Sequence, residues 1–195
     1  MKFIDYDNDG NLDLLLANGF PDDLVEEFSS QVKYHEPLLL FQNMDGKFRN
    51  VSQQSGPVFA KSFSARGLAV GDFNNDGGID ALIAVNDGSP ILLRNNVGKE
   101  NHWLGIHLVG TKSNRDAIGA RLTYKAGDLT RNRMKVGGGS FMSSHDPRMI
   151  LGFGKREKLE WLEVRWPLPG GGVERFVNLP SNRYITIVEG TGGWK

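Results

Sequence analysis

None of the 195 residues is cysteine, which excludes disulfides, thiolate metal sites and cysteine nucleophiles. Long apolar runs are missing too: no stretch reaches the roughly 18 residues that a membrane-spanning helix needs. The opening Met-Lys-Phe-Ile-Asp-Tyr-Asp brings acidic residues in before any useful apolar run, so it does not read as a signal peptide. Histidine is scarce, at four, and His102 beside Trp103 has no second His at metal-ligand spacing. Net charge is zero, with 23 basic against 23 acidic side chains.

That zero hides a split. Residues 1–98 hold 14 acidic and 7 basic side chains, a balance of −7, and residues 99–195 hold 23−14 = 9 acidic and 23−7 = 16 basic, a balance of +7. Two regions with different roles are expected from such asymmetry. Glycine is plentiful, at 25, which predicts many tight turns between short strands. The length suits one large all-β domain or two modest ones.

The acidity of the first half is concentrated in a repeat. Asp5-Tyr-Asp-Asn-Asp-Gly-Asn-Leu-Asp13 aligns with Asp72-Phe-Asn-Asn-Asp-Gly-Gly-Ile-Asp80 at an offset of 72−5 = 67, and the two segments hold seven carboxylates. Each leads into an apolar run, Leu14–Ala17 or Ala81–Val85, and then a Gly-containing turn, Asn18-Gly19 or Asp87-Gly88. Second strand-like pieces follow, Pro37–Asn43 and Pro90–Asn95, at the shorter offset of 52, so the first copy holds an insertion over about residues 21–36. Within it, Leu24–Phe28 is predicted to form a helical turn or two.

The loops have the chemistry of a calcium site. Ca²⁺ takes six to eight oxygens at about 2.3–2.6 Å, and alternate residues at positions 1, 3 and 5 converge if the chain curls around the ion. Gly10 and Gly77 at position 6 supply the curl, position 7 (Asn11 or Gly78) offers a backbone carbonyl, and Asp13 or Asp80 closes the site. An EF-hand would need a Glu at position 12, where Leu16 and Ile83 stand, and flanking helices. The expectation is therefore a strand–loop–strand calcium site. The plainer alternative is a pair of solvated Asp/Asn/Gly turns.

These loops with their apolar strands resemble FG-GAP (VCBS) repeats, the blade units of integrin-α-type β-propellers. Arg66–Phe73 reads as the strand entering the second loop and Gly46–Ser52 as a further blade strand. Beyond residue 100 the chain resembles the ASPIC/UnbV domain, which follows such repeats in cartilage acidic protein and bacterial relatives. The matching stretches are Asn101–Leu104, Asn114–Arg121, Gly137–Phe141, Ser144–Arg148 and Leu162–Pro167. The resemblance implies calcium held by Asp5, Asp7, Asp9, Asn11 and Asp13, and by Asp72, Asn74, Asp76, Gly78 and Asp80. It also implies an extracellular or periplasmic setting, with binding or adhesion in place of catalysis. Asn74 and Gly78 stand where such repeats commonly carry acids, which predicts weaker affinity in the second loop. The strand that should precede the first loop is read as missing. The chain is expected to be a C-terminal piece of a longer protein, because a full propeller needs at least four blades.

Residues 101–190 read as short strands separated by Gly, Pro, Asn or Asp, the pattern of an antiparallel sandwich or small barrel. Arg131, Arg133 and Lys135 alternate and so share one strand face. With Arg148, Lys155, Arg156 and Lys158 they are candidates for contact with an acidic glycan, an acidic protein or the acidic repeats. A solvated strand face with a basic turn is the simplest reading of that pattern. Ser140, Ser143, Ser144, His145 and Asp146 crowd together, but triad members meet through the fold, and the run reads as a turn. Gly137-Gly-Gly-Ser140 lacks the ending of a phosphate-binding P-loop.

The fold class expected is all-β: a partial β-propeller of fewer than two FG-GAP-type blades over 1–98, then an antiparallel β-sandwich-like domain over 99–195. The function expected is a non-enzymatic, calcium-binding binding or adhesion module for a protein or glycan ligand, with no nucleic-acid partner and no membrane span. The alternative is an accessory domain of a secreted enzyme with its active site upstream. The second half, without such loops, should gain from calcium only what contact passes to it.

Overall fold

Alternating apolar residues and glycine-rich turns give short strands throughout the computed structural model, which describes residues 1–86, 88–167 and 172–195. Asp87, half of one expected turn, lies outside the described residues. The first half runs β1 (Lys2–Ile4), β2 (Asp13–Leu16), α1 (Val25–Phe28), β3 (Glu36–Pro37), β4 (Leu39–Met44), β5 (Lys47–Asn50), β6 (Ser62–Phe63), β7 (Ala65–Gly71), β8 (Asp80–Val85) and β9 (Ile91–Leu93). The second runs β10 (His102–Val109), β11 (Arg121–Ala126), β12 (Leu129–Met134), β13 (Met149–Gly154), β14 (Trp161–Arg165), β15 (Val173–Phe176) and β16 (Arg183–Val188).

The protein is all-β, as expected, with α1 forming the helical turn of the insertion. Strands β1-β2-β4-β5 make one antiparallel sheet and β7-β8-β9 another. Asp45 and Gly46, both at positive φ, turn the β4–β5 hairpin in the manner of a two-residue Asp-Gly loop. One expectation is corrected here. A strand does precede the first loop: three residues of β1 suffice to pair Lys2, Phe3 and Ile4 with Leu15, Leu14 and Asp13. The first repeat thus has four strands and the second three, and their inward side chains share a core built on Leu38, Leu40, Leu68 and Ile83.

In the second half, β13-β10-β16 and β12-β11-β14-β15 enclose a separate core. Period-2 alternation puts Leu104, Ile106 and Leu108 of β10 inside, with Leu122 and Tyr124 of β11, Leu162 and Val164 of β14, and Ile185 and Ile187 of β16. The sandwich is not wholly antiparallel, because β16 lies parallel to β10 from Leu104↔Arg183 to Val109↔Val188. The long excursion through five other strands makes that pairing possible, since parallel neighbours need a crossover connection.

The end of β16 is fastened by a single carboxylate. Glu189 Oε2 accepts the N–H groups of Thr111, Lys112 and Ser113 at 2.9, 2.8 and 2.8 Å and the Ser113 hydroxyl at 2.9 Å. Burial works to raise its pKa, but these donors favour the charged form and hold it down to about 2, from 4.5. A lowered folded pKa gives stability that is present above pH 4.5 and lost as pH falls toward 2. Glu189→Gln is therefore expected to lower the melting temperature at pH 7 by roughly 3–8 °C. In melts recorded against pH, the gap to the parent protein should close as the acid limit is approached. A gap that stays constant with pH would show that the charge is not what fastens the strand.

Candidate metal centre

The two acidic loops adopt one conformation. Position 4 is left-handed in both, Asn8 at φ 56° and Asn75 at φ 59°, and so is position 6, Gly10 at φ 92° and Gly77 at φ 89°. Asparagine and glycine are the residues that tolerate this backbone best. The hydrogen bonds repeat as well. Asp5 Oδ2 accepts Gly10 N–H at 3.1 Å, as Asp72 Oδ2 accepts Gly77 N–H at 2.7 Å. Asp13 is held by Tyr6 N–H and Asn43 N–H at 3.0 and 2.8 Å, and Asp80 by Phe73 N–H and Asn95 N–H at 3.2 and 2.7 Å. Asn43 and Asn95, at the ends of β4 and just beyond β9, were not singled out as site residues from the sequence. The signal was there, because both close the aligned strand pieces at the offset of 52.

The loops differ in how their oxygens are used. In the first, one carboxylate oxygen each of Asp5, Asp7 and Asp13 lies within 4.8 Å of the others. Ligands on opposite sides of a bound Ca²⁺ stand about 4.6–5.2 Å apart, twice the metal–oxygen bond. Asp5 Oδ1 is buried with no hydrogen-bond partner. Burial raises the pKa of all three acids, that of Asp13 to about 7 against the pull of its two backbone donors. For Asp5 the Arg133 guanidinium, with an Nη2 at 3.4 Å, offsets burial only in part. A buried, oxygen-only cluster with an orphan acceptor and too little positive charge fits a hard divalent cation. Asp9 is not part of it: its carboxylate accepts Asn11 N–H at 2.6 Å and the Asn11 amide at 2.9 Å. The Asn11 side-chain oxygen is itself taken by Arg131 at 2.7 Å, which leaves its carbonyl as what Asn11 has to offer a cation.

In the second loop every carboxylate oxygen has a protein donor. Asp72 takes Asp76 N–H, Gly77 N–H and the Tyr184 hydroxyl, the last at 2.7 Å, and Asp76 takes Gly78 N–H and the Asn74 amide. Among the described residues, only the first loop brings three acidic groups within metal-binding reach. Asn74 at position 3 is the physical reason, since it turns a potential charged ligand into a donor for Asp76.

The second half clamps both loops. Arg131 Nε and Arg133 Nη2 donate to Gly10 O at 2.8 and 3.0 Å, and Arg148 Nη2 donates to Asp72 O at 3.0 Å while its guanidinium stacks on the Tyr184 ring. Gly152 of β13 lies against Asn8, and the Trp103 ring lies against Gly77. Lys135 is buried and donates to Pro147 O. The solvated face expected for Arg131, Arg133 and Lys135 is thus corrected: the −7 and +7 halves meet here, and the two arginines reach the acidic repeats. Asn8 also bridges the loops, donating to Gly77 O and Gly98 O at 2.8 Å each.

A scan against protein-family models matches residues 5–83 to the FG-GAP-like repeat and residues 110–193 to ASPIC and UnbV. The chain joins FG-GAP-like repeats to an ASPIC/UnbV domain. The boundary between the two matches contains the residues 95–101 whose amides tie the loops together. Asn95 Nδ2 donates to Tyr6 O at 2.7 Å and Asn101 Nδ2 to Asp7 O at 2.6 Å. No curated protein matches the chain. FG-GAP-like repeats are typically extracellular, and no helix among the described residues is long and apolar enough to cross a membrane. The second half contributes Trp103, Arg131, Arg133, Arg148 and Tyr184 around the loops, a role that no local spacing in the sequence announces.

Proposed function

We propose that this chain is a calcium-stabilised, non-catalytic binding module working outside the cytoplasm, with calcium held in the first loop and more weakly in the second. The observation that carries the reading is the convergence of Asp5, Asp7 and Asp13 around a buried, partnerless Asp5 oxygen. Bound Ca²⁺ would supply the positive charge that Arg133 alone does not. Asp5, Asp7 and Asp13 would hold it, with the carbonyl of Asn11 at the position that strand–loop sites use for a main-chain ligand. Arg131 and Arg133 orient the loop through Gly10 O, and Gln42 fixes Asp7 by donating to its Oδ2 at 2.9 Å.

A non-catalytic role is supported by how the one crowded Ser/His/Asp segment is used. Ser143 Oγ accepts Leu68 N–H at 2.9 Å, His145 Nδ1 accepts Val70 N–H at 3.2 Å, and Asp146 N–H donates to Val70 O at 2.9 Å. These contacts cover the open edge of β7. The Asp146 carboxylate faces Arg148, so no base–nucleophile pair forms.

Calorimetric titration of the whole chain tests this. Two calcium sites of unequal affinity are expected, with Mg²⁺ much weaker because it tolerates such geometry poorly. Asp7→Ala should remove the tighter phase, Asp76→Ala only the weaker one, and Asp9→Ala should cost less than Asp7→Ala. Equal affinity for the two metals, or no heat at millimolar calcium, would overturn the reading.

A further inference from the structure

Between the FG-GAP-like repeats and the ASPIC/UnbV domain lies a cavity of about 1210 Å³. Sites for small organic ligands run to roughly 300–1,000 Å³, so this space exceeds what a bare ion needs. Four acids stand on its wall, three of them engaged by protein donors and the fourth, Asp5, belonging to the first acidic loop. Arg133 faces Asp5, Arg148 faces Asp146, Arg175 faces Glu163, and the Tyr184 hydroxyl and Gly77 N–H hold Asp72. Four cations on the same wall, Lys2, Arg121, Lys135 and Arg165, have no carboxylate partner among the described residues. Arg121 and Arg165 stand directly opposite each other on β11 and β14, a like-charge pairing that destabilises a sheet unless a counter-charge is near.

Two donors of this wall, on Lys2 and His145, converge on one spot. His145 Nδ1 accepts a backbone N–H, which assigns the proton of the neutral ring to Nε2, and Nε2 is buried without a partner. A Cβ built on Gly139 would stand 2.8 Å from Lys2 Nζ and 3.6 Å from His145 Nε2, so both groups reach the same glycine. The next residue, Ser140, has a buried hydroxyl that also lacks a partner. Burial, and then the charge of Lys135, lowers the pKa of Lys2, and burial, and then the charge of Lys2, lowers that of His145. Lys2 Nζ donates to Gly138 O at 3.4 Å and Lys135 Nζ to Pro147 O, which leaves each ammonium further N–H donors, partly desolvated, beside the unpartnered His145 Nε2–H.

We propose that this inter-domain cavity is a ligand site for an oxyanion, a carboxylate or sulfate group, seated between Lys2 Nζ and His145 Nε2–H, with Lys135 on the same wall. Charge-assisted hydrogen bonds from these donors fix the anionic group, and the remaining volume takes the body that carries it. Arg121 and Arg165 lie on the same wall and supply the field that draws the anion in. The site is separate from the calcium reading, and its test runs in calcium-saturated protein with the calcium titration recorded in parallel.

The experiment follows the His145 ring nitrogens and the amides of 137–140 by NMR at low ionic strength, with inorganic sulfate, glucuronate and glucose as probes. Sulfate and glucuronate should give saturable shifts and glucose none. Tighter binding of glucuronate identifies a group carried on a larger molecule, and equal binding identifies the free anion as sufficient. Lys2→Gln should weaken both anions about tenfold, the effect of one charge-assisted contact, while leaving calcium binding unchanged. Lys112→Gln, which removes the same charge from a lysine that does not line the cavity, should leave anion binding as it was. His145→Gln should likewise weaken anion binding, read from the amide shifts. Absence of saturable shifts with either anion, or equal effects of Lys2→Gln and Lys112→Gln, would overturn the proposal.

Discussion

Gly152→Ala is expected to be among the most damaging single substitutions in the protein. A Cβ there would stand 2.5 Å from Asn8 Cα, 2.6 Å from Asn8 C and 2.6 Å from Asp5 Oδ2. Backbone atoms of a closed loop cannot swing aside as a side-chain end does. Either β13 leaves the loop, breaking the bond from Gly154 N–H to Asn8 O at 2.8 Å, or the loop deforms and Asp5 leaves the cluster. Overpacking of this kind costs typically 1–3 kcal/mol and sometimes more, and here about 3 kcal/mol or above is expected. Calcium affinity should fall with stability, because the same contact shapes the site. Gly193→Ala, where a Cβ meets nothing within 4 Å, serves as the control and should stay within about 0.5 kcal/mol of the parent. Denaturant melts of the two variants with and without calcium compare them, and a Gly152→Ala protein as stable as Gly193→Ala would show that the close approach does not govern the site.

Calcium itself should have the second large effect. The unfolded chain has no preformed site, so a ligand bound only by the folded form stabilises it by RT ln(1 + [Ca²⁺]/Kd). At about 100 times Kd that is roughly 2.7 kcal/mol for the first loop, or some 5–10 °C in melting temperature for a chain of this size. From the sequence the second half should gain only what contact passes to it. The contact proves broad: Arg131, Arg133, Arg148 and Tyr184 all bond to the two loops, and Gly152 packs on the first. The two cores should therefore melt together in calcium and separate when it is chelated.

Much of this was legible in the residues. The loop repeat, the strands that follow it, the helical turn at Leu24–Phe28 and the all-β character follow from local spacing, turn chemistry and period-2 alternation. β13 was not foreseen, because Met149-Ile-Leu-Gly-Phe-Gly154 breaks its apolar run with glycines. Those glycines carry the information in another form, as the mark of a strand that another backbone approaches closely. The alternation of Arg131 and Arg133 correctly put both on one face, but no rule of spacing says what a face will meet. The docking of that face on Gly10 is a tertiary event between segments about 120 residues apart, in keeping with the opposite charges of the halves. The difference between the loops was half visible: Asn74 announced fewer charges, whereas the Tyr184 hydroxyl on Asp72 comes from the far end of the chain.

Hydrogen exchange of the whole chain, first with excess calcium and then with EDTA, tests the central claim most directly, because it asks which backbone segments respond to the metal. Protection is expected to rise with calcium over residues 5–17, and with it over β12 and β13, which clamp that loop. A smaller rise is expected over 72–85, and little change over β14 and β15, which among the described residues make no hydrogen bond to either loop. Exchange that is the same with and without calcium in both loops would contradict the account and leave them as ordinary polar turns.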